Sequence, residues 1–254
     1  MKKGFTLAEV LITLGIIGVV AALTMPTLIA NYQKTALKSQ FKKSYSVLQQ
    51  ALLKAQADLD YKPECYYWDS PKYSGGKCLK FSDDGKSCLQ YGMEDGSPYP
   101  SDYNGMFGEC SVLKDAVLKN LNVIKTCENR AFSKGCIPEY AGYDTVLKAN
   151  DDSLSDYDVN TKVAGCAGYS KQNILNNRTV YVLSDGMLII AYNFPQIFAV
   201  DVNGKKGPNK WGHDLFPFAV RGNITKPLTV GQGGCAFIEK GGVSTQQMII
   251  DSSN

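Results

Sequence analysis

Histidine and the sequence signatures of catalysis are scarce in this chain of 254 residues. There is one histidine, His213, which leaves few schemes for acid–base chemistry. The sequence contains no glycine-rich phosphate loop, no G-x-S-x-G nucleophile elbow and no H-E-x-x-H zinc motif. A catalytic cysteine paired with His213 is conceivable, but an even number of cysteines outside the cytoplasm argues against it. We therefore do not expect an enzyme.

C-x-x-C pairs are also absent, so the cysteines do not resemble a zinc ligand set. An even number of cysteines in a domain outside the cytoplasm predicts disulfides, each worth about 2–4 kcal/mol. The connectivity stays open because eight cysteines allow about 105 pairings. Neighbours in sequence, Cys78 with Cys88 and Cys127 with Cys136, are the first candidates. The eight are Cys65, Cys78, Cys88, Cys110, Cys127, Cys136, Cys166 and Cys235.

An excess of positive charge, which a general nucleic-acid binder needs, is missing. The formal net charge of +3 falls to +1 once Lys2 and Lys3 are removed. No run of lysines with interleaved aromatic residues stands out, so nucleic acid is not indicated as a partner.

Charge of either sign is absent from residues 10–30. At about 1.5 Å per residue, a helix of that length spans roughly the 30 Å hydrocarbon core of a bilayer. The run predicts a membrane helix.

A short basic leader precedes this apolar run. Two lysines and Gly4 are followed by Phe5, and Glu9 is the fifth residue counted from Phe5. The stretch from Gly4 to Val10, GFTLAEV, resembles the prepilin motif of type IV pilins and type II secretion pseudopilins. An ordinary secretory signal would place its cleavage site after the apolar region and discard that region.

The resemblance implies a defined route of processing and assembly. A prepilin peptidase would cut between Gly4 and Phe5 and N-methylate Phe5, leaving the apolar helix on the mature chain. In that family the new ammonium group of one subunit pairs with the glutamate of its neighbour, so Glu9 is expected to set the filament register. A carboxylate costs about 2.5–3.5 kcal/mol at the bilayer centre and is usually kept because something pairs with it. Pro26 falls where the family usually kinks its helix, and proline lacks the amide donor of a regular helix.

Two signals disagree about orientation. Lysines follow the apolar run more densely than they precede it, so a positive-inside count alone would leave the large domain in the cytoplasm. The cysteines require an oxidising compartment, and the resemblance implies a cytoplasmic leader. We therefore expect a single-pass protein of the cytoplasmic (inner) membrane with its N-terminus in the cytoplasm and its head outside.

Residues 31–60 continue the helix with an amphipathic pattern. Apolar residues recur at steps of three and four, which places them on one face that should pack against the head. The lysines and glutamines opposite are typical of a solvated face. The apolar set is Leu37, Phe41, Tyr45, Leu48, Leu52, Ala55 and Leu59.

Residues 61–176 hold most of the cysteines and are rich in Gly, Ser, Asp and Tyr, which predicts long loops held by disulfides. One helix is predicted from Ser111 to Thr126, where Leu113, Val117, Leu121 and Ile124 repeat at helical spacing. The aromatic residues serve either as packing or as a stacking surface for a ligand. They include Tyr66, Tyr67, Trp68, Tyr73, Tyr91, Tyr99 and Tyr103.

After Asn177 the hydrophobic period changes to that of strands. The runs Arg178–Ser184 and Met187–Tyr192, joined by Asp-Gly, predict a hairpin, and Gln196–Val202 predicts a third strand. Later apolar runs should extend the sheet or cover it. They are Leu215–Val220, Pro227–Val230, Cys235–Ile238 and Gln247–Ile250.

One loop, from Asp201 to Asp214, is a candidate ligand site. Its D-x-N-G start offers oxygen ligands at alternate positions and a glycine for a tight turn, which suit Ca²⁺ with Asp201, Asn203 and Asp214 as ligands. It is not an EF-hand, because the later spacing and the final glutamate are missing. The loop resembles the D-x-N-G-x-x-G-P-N-x-x-G-x-D segment of some pilin-like heads, and certain pseudopilins bind calcium in a C-terminal loop of different spacing. The alternative is a turn-rich loop that binds no ion, in which the Asp and Asn side chains form hydrogen bonds with the loop's own backbone. Lys205 and Lys206 favour this alternative.

These observations together predict an α+β, pilin-like fold. A long kinked N-terminal helix, with a membrane half and an amphipathic half, should pack on a C-terminal antiparallel β-sheet and carry a large disulfide-rich loop insertion. The expected segments are a leader (1–4), a membrane and filament-core helix (5–30), its amphipathic continuation (31–60) and an extracytoplasmic head (61–254). The head is divided into Cys-rich loops with a short helix (61–176) and the sheet (177–254).

The expected function is that of a structural subunit, a minor pilin or pseudopilin, in a type IV pilus or type II secretion filament. Its partners would be the prepilin peptidase, other filament subunits and, before assembly, the cytoplasmic membrane. No cofactor is required, and calcium is the one ion that the sequence suggests. The alternative is a filament-tip or membrane-tethered binding module, either an adhesin or a DNA-uptake receptor.

Overall fold

A long N-terminal helix and a six-stranded sheet organise the computed structural model of the chain. The structure describes residues 6–61, 77–81, 83, 88–92, 95–98, 110–221 and 228–253. Its helices are α1 (Leu7–Leu59), α2 (Cys110–Lys119), α3 (Tyr143–Asn150), α4 (Asp156–Val163), a 3₁₀ helix (Ala164–Tyr169), α5 (Lys171–Asn176) and α6 (Thr245–Ser253). Its strands are β1 (Lys77–Phe81), β2 (Cys88–Gly92), β3 (Val123–Cys127), β4 (Thr179–Leu183), β5 (Leu188–Asn193), β6 (Ile197–Asp201), β7 (Leu215–Arg221) and β8 (Thr229–Gln232).

Helix α1 joins the apolar run and the amphipathic segment in one element. It has 53 residues, about 80 Å at the usual rise per residue, and it continues through Pro26. Its apolar window has a mean hydropathy of 2.3 and no residue buried against the rest of the chain, so it has the length and composition of a membrane span. The helix ends at Asp60, which adopts a left-handed conformation with φ 56°.

The sheet is antiparallel, with strand order β3-β4-β5-β6-β7-β8. The hairpin predicted around Asp185-Gly186 is confirmed as β4 and β5, with Thr179 opposite Ala191. Gly186 has φ 91°, a conformation that glycine adopts at no steric cost, which is why the turn forms there. The predicted third strand is β6. Strands β1 and β2 form a separate two-stranded hairpin.

One face of the sheet packs on the amphipathic half of α1, as predicted. Phe41, Leu52 and Ala55 are buried on that side of the helix. The Phe41 ring lies 4.8 Å from the ring of Phe216 and 5.7 Å from that of Phe218, centroid to centroid. Each fully buried side chain of this size contributes about 1.5–3 kcal/mol, so this seam fixes the head on the helix.

Polar groups of α1 also hold the last strand of the sheet. Gln49 Oε1 accepts a hydrogen bond from the Val230 amide at 2.9 Å, and the Tyr45 hydroxyl donates to the Val230 carbonyl at 3.2 Å. Strand β8 is an edge strand, so its outward backbone groups would otherwise lack partners within the sheet. Close by on α1, Lys43 pairs with Asp185 in the β4–β5 turn at 2.8 Å.

The opposite face of the sheet is covered by a second layer, which the sequence did not reveal. Its core contains Tyr140, Tyr169, Trp211 and Phe237, all buried. The Trp211 ring lies 4.2 Å from that of Phe237, and the Trp211 Nε1–H donates to the Ala141 carbonyl at 2.8 Å. The sheet therefore draws on residues before the expected division at residue 177, because residues 123–127 belong to it and helices α3 and α5 help to cover it.

The predicted helix from Ser111 to Thr126 is wrong in its second half. Helix α2 ends at Lys119, and Leu121 remains buried just beyond it. Ile124 instead lies in β3, where it is 65% exposed. The β-branched residues around Ile124 favour a strand, and the free edge of β4 supplies the backbone partners.

The last apolar runs cover the sheet as well as extend it. Leu215–Val220 lies in β7, and Val230 lies in β8. Cys235 and Phe237 are buried in the second layer, while Gln247–Ile250 belongs to helix α6, which contacts α1 and β8.

Two disulfides stabilise the second layer. Cys127 pairs with Cys136, which confirms that candidate, and Cys166 pairs with Cys235, 69 residues away in sequence. Cys110 is disulfide-bonded as well. Cys65 and the side chains of Cys78 and Cys88 lie outside the described residues.

Candidate functional sites

The candidate processing site lies at the start of α1. Gly4 and Phe5 are outside the described residues, and the description begins at Thr6, the N-cap. Thr6 Oγ1 accepts from the Glu9 amide at 3.3 Å, and Glu9 Oε2 accepts from the Thr6 amide at 2.8 Å and from the Thr6 hydroxyl at 2.7 Å. This reciprocal capping box satisfies amides that the first turn leaves without intrahelical partners. The helix therefore begins at Leu7, two residues after the predicted new N-terminus at Phe5, with Thr6 as its N-cap.

The box gives Glu9 a partner within its own chain, which the sequence reading did not include. The signal was present, because Thr6 and Glu9 have the T-x-x-E spacing of a capping box. Glu9 is exposed at the end of a helix whose apolar residues are also exposed. The roles predicted for Gly4, Phe5, Glu9 and Pro26 stay predictions.

The second candidate site is the loop between β6 and β7. Asp201 closes β6, Asp214 comes directly before β7, and both side chains are fully buried. Asp201 Oδ2 accepts from the Tyr140 hydroxyl at 2.7 Å, and its Oδ1 accepts from the Asn203 amide at 3.1 Å. Asp214 accepts from the amides of Asn209 and Lys210, each at 2.7 Å. Each carboxylate thus accepts backbone amides at its own end of the loop, Asp201 at the start and Asp214 at the finish.

Backbone geometry explains why glycine stands at position 204, the first of the three glycines in this loop. Gly204 has φ 70°, and a Cβ at that position would lie 2.2 Å from the Gly186 carbonyl oxygen. A larger residue is excluded by this contact with the β4–β5 turn. Asn209 is also left-handed, with φ 57°, and follows a cis Gly207–Pro208 bond.

Burial dominates the electrostatics of the loop. Desolvation raises the pKa of Asp201 to about 8, and the nearby Asp214 carboxylate adds to the rise. Burial also raises the pKa of Asp214, although hydrogen bonds from the backbone of Lys210 and Asn209 and from the Asn203 side chain oppose it. The pKa of Tyr140 is raised well above its ordinary value by burial and by Asp201. Two carboxylates held close together in a dry site favour a proton or a cation.

Two amide oxygens in the same loop have no hydrogen-bond partner. Asn203 Oδ1 and Asn209 Oδ1 are both buried and unsatisfied within the described part of the chain. Hard oxygen donors of this kind are the ligands that Ca²⁺ prefers. Over the residues that the structure covers, no cluster of three or more His, Cys, Asp and Glu side chains suits a metal ion, so any such site depends on amide oxygens. Calcium at Asp201, Asn203 and Asp214 stays a prediction.

Sequence reasoning missed Tyr140 and Asn209 at this site. Asn209 lies inside the loop motif and could have been predicted as a candidate ligand, because its side chain has the same chemistry as that of Asn203. Tyr140 lies 61 residues before Asp201 and comes to it only through the second layer. No local pattern signals that contact.

A cleft of about 420 Å³ lies next to this loop. Val146 and Pro208 contribute apolar lining, and Lys210 and Glu239 contribute charge. Lys171 pairs with Glu139 at 2.7 Å in the same lining.

Comparison with known proteins bears on the N-terminal site. No curated protein and no solved structure matches the chain. Residues 1–25 match the family model described as the prokaryotic N-terminal methylation motif. The first 25 residues are therefore a prepilin-type cleavage and methylation signal, the kind that type IV pilins and pseudopilins carry.

Proposed function

We propose that the chain is a minor pilin or pseudopilin, a structural subunit that a prepilin peptidase processes after Gly4. The observation that carries the proposal is the continuity of α1. The signal matches residues 1–25, and the same helix continues without a break to Leu59 beneath the sheet. Cutting before Phe5 therefore leaves a head that is attached to an exposed apolar helix.

Such a helix needs either lipid or other helices around it. Large apolar side chains along its first half are more than half exposed, including Leu11, Ile16, Leu23 and Leu28. A contiguous apolar surface of this extent is not stable in water. The bilayer covers it before assembly, and the helices of neighbouring subunits cover it inside a filament.

The head favours a specialised subunit over a repeating one. It carries a second layer and at least two disulfides behind the sheet, so it presents a large folded surface beyond the seam with α1. We place it in the minor class on that ground. Whether the machine is a pilus or a type II secretion filament does not alter the processing step.

The test is the abundance of the chain in filaments sheared from cells. Wild-type chain should appear in the sheared fraction at far below the level of the major subunit. Glu9→Leu should be processed, because the cut lies between Gly4 and Phe5, but it should stay in the membrane fraction. Leu53→Gln, an exposed position farther along the same helix, serves as the matched control and should leave incorporation unchanged. The proposal is contradicted if the wild-type chain is processed after Gly4 but is never found in the sheared fraction.

A second candidate is a filament-tip or membrane-tethered binding module. The cleft beside the Asp201–Asp214 loop is the observation that favours it, because its volume lies within the range of ligand pockets. A chain found only at filament ends by immunogold labelling, with binding lost in Lys210→Glu but incorporation unchanged, would support this function.

A further inference from the structure

Helix α1 has a one-sided charge pattern just beyond its apolar run. Between Glu9 and Asp58 it contains no acidic residue, whereas lysines recur in its second half. Lys34, Lys38 and Lys42 are spaced by four and therefore form one stripe along the helix. We call these three residues the lysine stripe.

The described residues of the head do not bind the lysine stripe. All three side chains are exposed, and none makes a hydrogen bond or ion pair within the described part of the chain. Lys43, the next residue after Lys42, differs because it pairs with Asp185 and so joins the helix to the sheet. The three stripe positions are therefore available to a partner outside the head.

Their height along the helix points to a lipid surface. At about 1.5 Å per residue, Lys34 lies about 6 Å beyond residue 30, and Lys38 about 12 Å. The headgroup layer on each side of a bilayer is about 5–8 Å thick. Lys34 thus lies within that layer, and Lys42 lies about one Debye length, roughly 10 Å, above it.

The residues next to Lys34 also suit a position in the headgroup layer. Tyr32 is 75% exposed, and exposed tyrosines are enriched where a membrane helix leaves the hydrocarbon core. Residues 31–35 are all exposed, and burial against the head begins with Leu37 and Phe41. At the height of Lys34 no described residue of the head covers the helix, and an acidic surface on another head would have to enter the headgroup layer to reach it.

We propose that the lysine stripe binds anionic phospholipid headgroups at the outer surface of the membrane that α1 spans. The inference rests on the proposed membrane-anchored subunit with its head outside. The contact fixes the height and tilt of the unassembled helix, and it must be released when the subunit leaves the membrane. Juxtamembrane lysines bind such surfaces through their charge alone.

The test uses the full chain in lipid nanodiscs that hold one copy each. Lysine acetylation by a water-soluble ester is followed over time for each peptide by mass spectrometry. Discs of phosphatidylcholine are compared with discs that also contain phosphatidylglycerol. The stripe lysines should react about fivefold more slowly in the anionic discs, the factor expected when each contributes as a typical juxtamembrane lysine.

Two internal controls separate this effect from general slowing. Lys54 on α1 and Lys162 on α4 are exposed and far along the chain from the apolar run, so their rates should not depend on the lipid. At about 1 M salt, where the Debye length falls to about 3 Å, the stripe lysines should recover their rate. A triple Lys34→Gln, Lys38→Gln, Lys42→Gln variant should also retain less phosphatidylglycerol after detergent extraction than wild type.

Equal rates in both kinds of disc overturn the inference. Protection that appears only in crowded vesicles, regardless of lipid charge, overturns it as well and assigns the stripe to a second copy of the chain. Failure of the proposed function gives a different result. In that case the chain isolated from native membranes is unprocessed, while the acetylation rates in the two kinds of disc are unaffected.

Discussion

The buried carboxylate of Asp201 should make the stability of the head fall as the pH rises from about 5 to 7. Its pKa is raised from the ordinary value of 3.8 to about 8. In this window the folded chain keeps a proton that the unfolded chain has lost, so the free energy of unfolding decreases by about 1.4 kcal/mol per pH unit. The expected loss between pH 5 and 7 is about 2–3 kcal/mol. Asp214, whose pKa is also raised, acts in the same direction.

The assay is urea unfolding of the full chain in detergent micelles, with disulfides intact, at a series of pH values. Tryptophan fluorescence follows the transition, and of the two tryptophans, Trp68 and Trp211, Trp211 is a local reporter because it lies in the loop and is fully buried. Asp201→Asn removes the titration, so its stability should change less with pH than that of wild type. Asp158→Asn is the matched control, since Asp158 is exposed and its pKa is lowered, below this window. Equal pH slopes for wild type and Asp201→Asn would refute the reasoning.

Calcium should reverse this dependence if the loop binds it. A cation favours the ionised carboxylates, so its stabilising effect should grow as the pH rises above 7. Calcium at a hundredfold excess over its dissociation constant raises the free energy of unfolding by about 2.7 kcal/mol. Asp214→Asn should lose this gain while Asp158→Asn keeps it. No shift for wild type in millimolar calcium contradicts the prediction.

Three further changes test the packing, the covalent links and the assembly site. In the same urea assay, Phe41→Ala should lower the free energy of unfolding by about 3–5 kcal/mol, because the ring is fully buried against the sheet. The control Leu53→Ala, at an exposed position, should change it by less than about 0.5 kcal/mol. Replacing Cys166 and Cys235 together by alanine should cost about 4 kcal/mol, because that disulfide closes a loop with a sequence separation of 69; an unchanged urea midpoint contradicts this. Glu9→Leu should still be cut and methylated, since the Glu9 side chain takes part neither in the Gly4–Phe5 peptide bond nor in the new bond between the Phe5 nitrogen and the methyl group. If N-terminal sequencing finds the leader retained, Glu9 acts in processing.

Much of the fold was predictable because its signals are local. Residues 10–30 have the length and composition of a membrane span, the spacing from Leu37 to Ala55 identified the packed face of α1, and Asp185-Gly186 identified the central hairpin. The span, the packed helix face and the hairpin can each be predicted from residues that are close together in the sequence, so no contact between distant residues had to be known.

The second layer was not predictable because distant contacts define it. Ile124 continues the helical spacing of α2, yet pairing with β4 places it in a strand. The Cys166–Cys235 disulfide is one of many pairings that composition allows, and Tyr140 meets Asp201 only after the layer has formed. In the candidate sites, Asp201 and Asp214 came from the loop motif, whereas the buried oxygen of Asn209 became visible only with the fold.

The most direct test of the filament-subunit proposal is the intact, non-reduced mass of the chain purified from its native membrane. A prepilin-type subunit predicts a chain that begins at Phe5, carries one added methyl group and has lost one hydrogen for each of its eight cysteines. A mass that retains residues 1–4, or that reports a cut after the apolar run, contradicts the proposal and leaves a tethered or secreted disulfide-bonded domain.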